Sequence, residues 1–320
     1  MILKRKTISV AVPCYNEEGN IEELYRRVNK VMEALPEYEY EFVFIDNKST
    51  DSSRDILKKL AANDKRVKVI FNQGNFGPGP SSAHGLLACE GDVVVGMACD
   101  LQDPPELIPQ FIDRWENGSK IVLGRNPESE ERGIITHFRN WYYDLIEGFC
   151  GTEGYKHVSG FGLYDKSVVD KLRESGDPCP NYRLTFMRYG YAPEYIDFKK
   201  PERTAGKSSY NFFSYFGLAL ESVVTVSRQP IYMIAFAGAF SAVLFAVMFI
   251  VMLVLSIVQG SAIFYGLLAA SLVCLGLSLA VLALGIVGTY VALTFEWTRS
   301  APLVIEEERL NWDKEIGDIQ

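Results

Sequence analysis

Four clusters of polar residues stand directly after short apolar segments in the first third of the sequence. They are PCYNEE at 13–18, Asp46-Asn47, GNFG at 74–77 and DLQDPPE at 100–106. One such cluster is weak evidence for a site, because loops between strands and helices contain turn formers and helix caps in any protein. Four of them indicate a ligand-binding site instead, provided that the preceding segments are strands of one sheet.

The segments around these clusters alternate between strand and helix patterns. Short β-branched or apolar runs predict strands at 7–12, 41–45, 67–71, 92–98 and 121–123, and helical spacing predicts helices at 21–35, 51–62 and 81–89. Strands separated by helices are typical of right-handed βαβ units and a parallel sheet. Ligands bind such sheets beyond the carboxyl ends of the strands, which is where the four polar clusters stand.

Composition and missing motifs exclude several classes of protein. GxGxxG does not follow the first predicted strand and GxxxxGK[ST] occurs nowhere, which argues against a dinucleotide-binding domain and a P-loop NTPase. The 320 residues carry a formal charge of -8, from 32 basic and 40 acidic side chains, so no nucleic-acid partner is expected. Six well-separated cysteines without a Cys/His cluster indicate free thiols in a reducing compartment.

A long uncharged segment occupies much of the last third of the sequence. Residues 231–295 contain no Asp, Glu, Lys, Arg or His, and Gln259-Gly260-Ser261 is the polar break within them. About 20 apolar residues span a bilayer as a helix, so the segment predicts two transmembrane helices, near 231–258 and 262–295. Arg228 precedes the two helices and Arg299 follows them, which favours a cytoplasmic location for both flanking segments. We therefore expect a multi-pass cell-membrane protein with both termini cytoplasmic.

The polar clusters resemble motifs of the family 2 glycosyltransferases, which have the GT-A fold. PCYNEE, IDNKSTD at 45–51, NFG at 75–77 and DLQDPPE carry the resemblance, and Gly124-Arg125, Arg139, SGFGLYDK at 159–166 and RTAGKSSY at 203–210 extend it. Within that family the chain is similar to dolichyl-phosphate mannose synthases and to bacterial polyprenyl-phosphate glucosyltransferases, including those that act on bactoprenol. PCYNEE marks only the broad family, whereas DLQDPPE and RTAGKSSY are more specific.

The resemblance implies an α/β catalytic domain of the GT-A type with a mixed, mostly parallel, Rossmann-like sheet. Residues 1–208 would form this cytoplasmic domain, 209–229 an amphipathic interfacial segment, 230–296 a two-helix transmembrane hairpin and 297–320 a cytoplasmic tail. The aromatic and apolar residues at 211–226 favour an interfacial helix that guides a prenyl chain. A helix buried beneath the catalytic domain is the alternative.

The resemblance also assigns roles in binding a nucleotide-sugar donor. Its base and ribose would be held by Pro13, Tyr15, Asn16, Glu17 and Asp46. Tyr15 offers a stacking face and a hydroxyl, and carboxylates accept hydrogen bonds from base and ribose. Asp100 with Gln102 would bind Mg²⁺ or Mn²⁺ on the donor diphosphate, since these hard cations prefer oxygen ligands. The alternative is that Asp100 caps the turn before Pro104.

Basic residues in the downstream motifs would neutralise the phosphates of donor and acceptor. The resemblance assigns this role to Arg125, Arg139, Arg203 and Lys207, with Ser208 and Tyr210 beside them. Arg binds phosphate oxygens bidentately, and Lys supplies a point charge. Solvated surface charge is the alternative for each of them. It fits Arg203 and Lys207 least, because Gly206 permits close backbone approach and the membrane segment follows.

Three departures from the family pattern affect the chemistry. Ala98 stands where relatives often have the first carboxylate of an Asp-x-Asp pair, and the loop at 77–81 is the uncharged GPGPS. Gly160 stands where relatives have an acidic residue, the usual candidate for a general base. Asp165 is the nearest carboxylate that fits the motif, so catalytic roles are expected for Asp100 and Asp165. Further candidates for the base are His157, Glu147 and Glu153.

The expected activity is metal-dependent, inverting transfer of a hexose from a nucleotide-sugar to undecaprenyl or another polyprenyl phosphate at the cytoplasmic membrane face. UDP-glucose is the favoured donor by analogy with the bacterial relatives, and GDP-mannose and UDP-N-acetylhexosamine stay open. A processive polysaccharide synthase is one alternative, although the chain lacks a QxxRW motif. A non-catalytic membrane scaffold derived from a glycosyltransferase is the other. Paired interfacial helices would be compatible with a homo-oligomer.

Overall fold

The computed structural model describes residues 5–127, 158–176, 186, 189–201, 302 and 304–312, together with isolated helical positions between 273 and 294. The chain divides into two compact units. One consists of Met1–Asn211 with Ser300–Gln320, and the other of Phe212–Arg299. The described strands all belong to the first unit, so the C-terminal residues fold with the N-terminal domain.

A mixed sheet with eight strands lies at the centre of the described part of the first unit. In chain order the strands are β1 (Lys6–Cys14), β2 (Tyr38–Asp46), β3 (Val67–Asn72), β4 (Val93–Gly96), β5 (Ile121–Arg125), β6 (Val158–Asp165), β7 (Glu194–Asp197) and β8 (Glu306–Leu310). Their spatial order is β7-β5-β6-β4-β1-β2-β3-β8. Among these strands β6 and β8 run antiparallel to their neighbours and the other pairs are parallel. The sheet is therefore mixed, mostly parallel and GT-A-like, as predicted.

Helices connect the described strands and cover the sheet. They are α1 (Ile21–Glu33), α2 (Ser53–Asn63), α3 (Pro78–Ala88), α4 (Ile108–Glu116) and α5 (Lys166–Glu174), with a 3₁₀ turn at Pro105–Leu107. α1 buries Ile21, Leu24, Val28 and Met32, whose spacing places them on one face of the helix. The strands and helices predicted between residues 7 and 123 are confirmed, with small shifts at their ends.

The core extends over both faces of the central strands. Along β1, the apolar residues Ile8, Val10 and Val12 alternate with Ser9 and Ala11, and all five are buried. Burial on both faces is expected for parallel strands, whose connecting helices pack on either side of the sheet. Three of the cysteines, Cys14, Cys89 and Cys99, are buried free thiols, as predicted.

The predicted membrane segment falls almost entirely outside the described residues. The described positions between 273 and 294 are helical. Within the described part of the chain, no helix is long and apolar enough to cross a membrane. The two spans, the interfacial segment and the cytoplasmic location stay predictions.

The predicted tail contains a strand that the sequence analysis did not anticipate. β8 pairs antiparallel with β3, with Val69 opposite Leu310 and Phe71 opposite Glu308. Asn311 Nδ2 continues the contact by donating to Val67 O at 2.8 Å. The tail therefore covers an edge of β3 that would otherwise expose unpaired backbone groups.

Candidate active site

The carboxyl ends of the parallel strands β1 to β4 lie at one edge of the sheet, as predicted. Cys14 pairs with Asp46 at the ends of β1 and β2, and β1 also pairs in parallel with β4. Burial and the neighbouring Cys99 thiol raise the pKa of Cys14, and Met97 N donates to Ala11 O at 3.1 Å beside them. Because Cys14 directly precedes Tyr15 and Cys99 directly precedes Asp100, the first and fourth polar clusters lie side by side.

Hydrogen bonds through Asn16 and Glu17 hold the loops after β1 and β2 together. The amide of Asn16 donates to Ser49 Oγ at 2.9 Å, and Thr50 N donates to Asn16 Oδ1 at 2.8 Å. Glu17 N donates to Ser53 Oγ at 2.8 Å. Asn16 has a φ of 56°, a left-handed conformation that Asn adopts more readily than most residues. Its amide oxygen thus joins the two loops, and direct contact of Asn16 with a donor stays a prediction.

Asp46 ends β2 as a fully buried carboxylate. It accepts from Ser49 N at 3.2 and 3.3 Å, and Arg54 Nε lies 3.5 Å away. Burial raises the pKa of Asp46, while the bonds from Ser49 and the charge of Arg54 act in the opposite direction. A carboxylate in this position can accept hydrogen bonds from a base or ribose.

The remaining donor residues predicted after β1 lie at the same edge. Pro13 is half-buried opposite Ile45 in the β1–β2 pair. Tyr15 is 40% exposed, so its ring can stack on a ligand. The carboxylate of Glu17 accepts from Asn20 Nδ2 at 2.6 Å, which fixes its orientation at the start of α1. The first polar cluster therefore lies directly beside the buried carboxylate of Asp46.

The loop after β4 is built around two carboxylates. Gln102 N donates to Asp100 Oδ1 at 3.2 Å, and Leu101 between them has a φ of 61°. Asp103 is buried and accepts a hydrogen bond from Ala98 N at 2.8 Å. Ala98 thus contributes a backbone hydrogen bond to this loop and no carboxylate. Sequence reasoning missed Asp103, although its position within DLQDPPE was a signal.

Asp100 and Gln102 fit a cation that is held mainly by a substrate diphosphate. They offer a carboxylate and an amide carbonyl, and Mg²⁺ is commonly bound by one or two carboxylates together with substrate phosphates. Within the described residues, no group of three or more His, Cys, Asp or Glu could hold a metal ion unaided. Gln102 Nε2 donates to Pro201 O at 3.3 Å, which orients the amide.

Three asparagines hold the loop after β3, and sequence reasoning missed Asn72 among them. Asn47 Nδ2 donates to Asn75 Oδ1 at 2.9 Å, and Asn47 Oδ1 accepts from Phe76 N at 3.0 Å. Asn72 Nδ2 lies 3.2 Å from both Asn47 Oδ1 and Ser81 Oγ. The NFG segment is therefore tied to the end of β2. The GPGPS segment leads into α3, which begins at Pro78, a residue type favoured in the first helical turn.

Arg125 lies at the same edge but on a more distant strand, and its guanidinium is already paired. Arg125 Nε and Nη2 donate to the two carboxylate oxygens of Asp197 at 2.6 and 3.0 Å. The guanidinium also lies 5.3 Å from the centre of the Tyr195 ring. In this geometry Arg125 joins β5 to β7, and its binding of a substrate phosphate stays a prediction.

The structure separates Asp165 from this edge, which corrects its predicted role as a base. Asp165 pairs with Val93 at the start of β4, the opposite end of that strand from Asp100. It caps α5 through Ser167 N and accepts from Trp115 Nε1 at 2.7 Å and Lys120 Nζ at 3.0 Å. Although burial alone would raise the pKa of Asp165, bonds from Ser167, Trp115 and Lys120 hold it below its usual value.

Position 160 does lie at the site edge. A Cβ built on Gly96, the last residue of β4, would lie 3.5 Å from Gly160 O. β6 thus places position 160 beside the end of β4, and a glycine without a carboxylate stands there. Several predicted residues lie outside the described part of the chain, namely Arg139, Arg203, Lys207, Ser208, Tyr210, His157, Glu147 and Glu153.

Known proteins are similar to this chain in sequence over most of its length. The model of the family described as glycosyl transferase family 2 matches residues 9–173, just over half of the chain. The uncharacterized glycosyltransferase YkcC of Bacillus subtilis is 30% identical over 303 residues, which cover 94% of this chain and 93% of that protein. The protein is therefore a glycosyltransferase. It belongs to glycosyltransferase family 2.

Two further relatives confirm the narrower resemblance. A prophage bactoprenol glucosyl transferase homolog of Escherichia coli K12 is 29% identical, covering 93% of this chain and 97% of its own. The bactoprenol glucosyl transferase of Shigella phage SfX is 29% identical, covering 94% and 99%. Among solved structures, a mycobacterial protein matches with a TM-score of 0.50 at 20% identity, covering 69% of this chain and 73% of that one. That match supports the fold alone.

Proposed function

We propose that this glycosyltransferase transfers a hexose, with glucose as the first candidate, from a uridine diphosphate sugar to the phosphate of a polyprenyl lipid. The observation that carries the proposal is the meeting of Tyr15, Asp46 and Asp100 at one edge of the sheet. Similarity to bactoprenol glucosyl transferases over nearly the whole chain supports glucose and the lipid acceptor. The uncharged segment at 231–295 would hold the domain at the cytoplasmic face of the cell membrane.

The donor would be held by the loops after β1, β2 and β4. The exposed ring of Tyr15 would stack on the base, and the buried carboxylate of Asp46 would accept from base or ribose. The diphosphate would lie at Asp100 and Gln102, where these residues would hold Mg²⁺ or Mn²⁺ to neutralise the departing charge. The bond from Ala98 N to Asp103 fixes this loop, so little reorganisation is needed during the reaction.

The proposed reaction is a single displacement at the anomeric carbon. An oxygen of the lipid phosphate attacks that carbon, and the bond from the carbon to the diphosphate oxygen breaks. The electron pair of that bond leaves with the nucleoside diphosphate. Inversion of configuration is what the family resemblance implies. Holding two anionic substrates in line would supply much of the rate enhancement.

The acceptor chemistry removes the need for a strong base. The second pKa of a phosphate monoester is about 6, so the lipid phosphate is largely dianionic near neutral pH. A glycine at position 160 and the remote position of Asp165 agree with this expectation. The acceptor would be bound by the RTAGKSSY motif. Pro201, two residues before that motif begins, accepts a hydrogen bond from Gln102 through its backbone oxygen.

A donor panel tests the proposal. Membranes containing the protein would be incubated with undecaprenyl phosphate and, separately, UDP-glucose, GDP-mannose or UDP-N-acetylglucosamine, and the lipids analysed by mass spectrometry. We expect a single hexose on the lipid phosphate with UDP-glucose, and none with membranes lacking the protein. Donor binding without any lipid product would favour a scaffold, and long glycan chains would favour a processive synthase.

A further inference from the structure

The C-terminal strand β8 reaches the donor edge through a bulge at Glu307. Phe71 pairs with Glu308, but the next residue of β3, Asn72, pairs with Glu306. Glu307 is therefore an extra residue in the ladder. Bulges of this kind occur beside active sites, where they redirect a side chain.

The redirected side chain contacts two cations that flank Asp46. Glu307 Oε2 accepts from Lys48 Nζ at 2.7 Å and from Arg54 Nη2 at 3.0 Å. Lys48 lies in the loop that follows Asp46 and has a φ of 64°. Arg54 lies in the first turn of α2, and its Nε is 3.5 Å from Asp46 Oδ2. One carboxylate of the tail thus joins the two segments that enclose Asp46.

Packing fixes Arg54 on a third side. Its guanidinium lies 4.7 Å from the centre of the Phe71 ring. The Arg54 side chain is 20% exposed, whereas that of Glu307 is 36% exposed. The pKa of Glu307 is held below its usual value by hydrogen bonds from Lys48 and Arg54, so it is ionised at neutral pH. Without Glu307, Arg54 would be free to turn further toward Asp46, with which its Nε already pairs at 3.5 Å, and to compete with a donor for that carboxylate.

We propose that Glu307 is a positioning residue of the donor site, which keeps Lys48 and Arg54 in their places around the buried carboxylate of Asp46. The inference rests on the proposed role of Asp46 in donor binding. It makes the segment after the predicted membrane helices part of the donor site. Glu307 acts through its two partners and does not itself contact the reacting atoms.

The neighbouring residue supplies a matched control. Glu308 lies next in the same strand and pairs with Lys58 at 3.5 Å. Lys58 lies one helical turn beyond Arg54 on α2 and likewise faces the Phe71 ring, at 5.4 Å. Glu308→Gln therefore removes the same charge from the same strand but leaves the surroundings of Asp46 intact.

The test is calorimetric titration of UDP, with Mg²⁺ present, into the full chain in detergent. Glu307→Gln should weaken UDP binding about three- to tenfold, within the range of coupling in a charge network, and Glu308→Gln should not. In the assay with UDP-glucose, Glu307→Gln should raise KM by a larger factor than it lowers kcat. In an Arg54→Gln background, Glu307→Gln should have a smaller effect, because Arg54 transmits much of it.

The outcomes separate this inference from the proposed function. If the wild-type protein does not bind UDP, the proposal of a uridine diphosphate sugar as donor is overturned, and this inference is overturned with it. Wild-type protein that binds UDP, with Glu307→Gln binding equally well, overturns only the role of Glu307. Equal weakening by Glu308→Gln, or weakening matched by a loss of thermal stability, also overturns it. Lys48→Met removes one of the same contacts from the loop side and should weaken UDP binding by a smaller factor.

Discussion

The backbone amide of Ala98 donates a hydrogen bond to the buried carboxylate of Asp103 at 2.8 Å. This bond closes the loop that presents Asp100 and Gln102. The absence of a carboxylate at position 98 therefore leaves the loop held in place, since Asp103 fixes it from the other end. The donor edge needs this loop to be set before substrate arrives, because hydrogen bonds formed in advance cost no reorganisation during reaction.

Asp103→Ala should lower both stability and turnover. It leaves the amide of Ala98 without its carboxylate partner, which should reduce the free energy of unfolding by about 1–3 kcal/mol. The freed Asp100 loop should lower kcat. Asp103→Asn retains an acceptor oxygen and should recover much of the loss. Denaturant unfolding and the transfer assay would measure both effects, with exposed Asp113→Ala as the control. Full activity in Asp103→Ala would contradict the bracing role.

Asp165→Ala should destabilise the fold without slowing the chemistry. The substitution removes the cap of α5 and the acceptor of Trp115, which should cost about 1–3 kcal/mol. The transfer rate per folded molecule should be unchanged, because Asp165 lies at the far edge of the sheet. Asp170→Ala, on the surface of the same helix, should change neither quantity. A large fall in kcat at unchanged stability would restore Asp165 as a catalytic candidate.

The stability difference for Asp165 should depend on pH. Its folded-state pKa lies below its usual value, so its contribution is complete above the unfolded pKa of about 4. The contribution is lost as the pH falls through the lower folded-state pKa. Urea unfolding of wild type and Asp165→Ala between pH 7 and strong acid should show the difference shrinking. A difference that grows in acid would contradict the assignment.

Asp46→Asn should separate stability from function. Burial raises the pKa of Asp46, so between its unfolded and folded values the folded state binds more protons and stability falls as pH rises. The Asp46→Asn variant should lack this pH dependence of stability. Its melting temperature at pH 7 should be no lower than that of wild type. The substitution should nevertheless weaken UDP binding, because the negative acceptor is lost. Unchanged UDP affinity would remove Asp46 from the donor site.

Gly162→Ala should damage the sheet beside the site. A Cβ at this position would lie 2.6 Å from Val122 O, a backbone atom that cannot move without disturbing β5. Such overpacking should destabilise the protein by about 1–3 kcal/mol. Gly79→Ala is the matched control, because a Cβ at Gly79 meets nothing within 4 Å. Equal melting temperatures for the two variants would show that β5 and β6 adjust more freely than this packing indicates.

The sequence predicted the parallel part of the sheet well because each strand there is apolar and is followed by a helix. β8 could not be found in this way, since EEERL has no strand pattern of its own and depends on β3, far away in sequence. The sequence favours Asp165 as a base because it lies close to Gly160 within one motif. Asp165 is the fifth residue after Gly160 in the same extended strand, roughly 16 Å away, so the two lie at opposite edges of the sheet.

In the candidate site, too, some residues could be predicted from the sequence and others could not. Asp46 and Asp100 were predicted because a family motif marks them. Asp103, Asn72 and Glu307 act through bonds to other loops, and such partners become visible only when the chain is folded.

The most direct test of the central claim compares Asp100→Ala with wild type in liposomes that contain undecaprenyl phosphate and radiolabelled UDP-glucose. Wild-type protein should form labelled lipid. Asp100→Ala should form it at least about 100-fold more slowly, as expected when a major electrostatic contact is removed. Asp113→Ala should match wild type. Labelled lipid formed by Asp100→Ala at the wild-type rate would contradict the account of this edge as the transfer site.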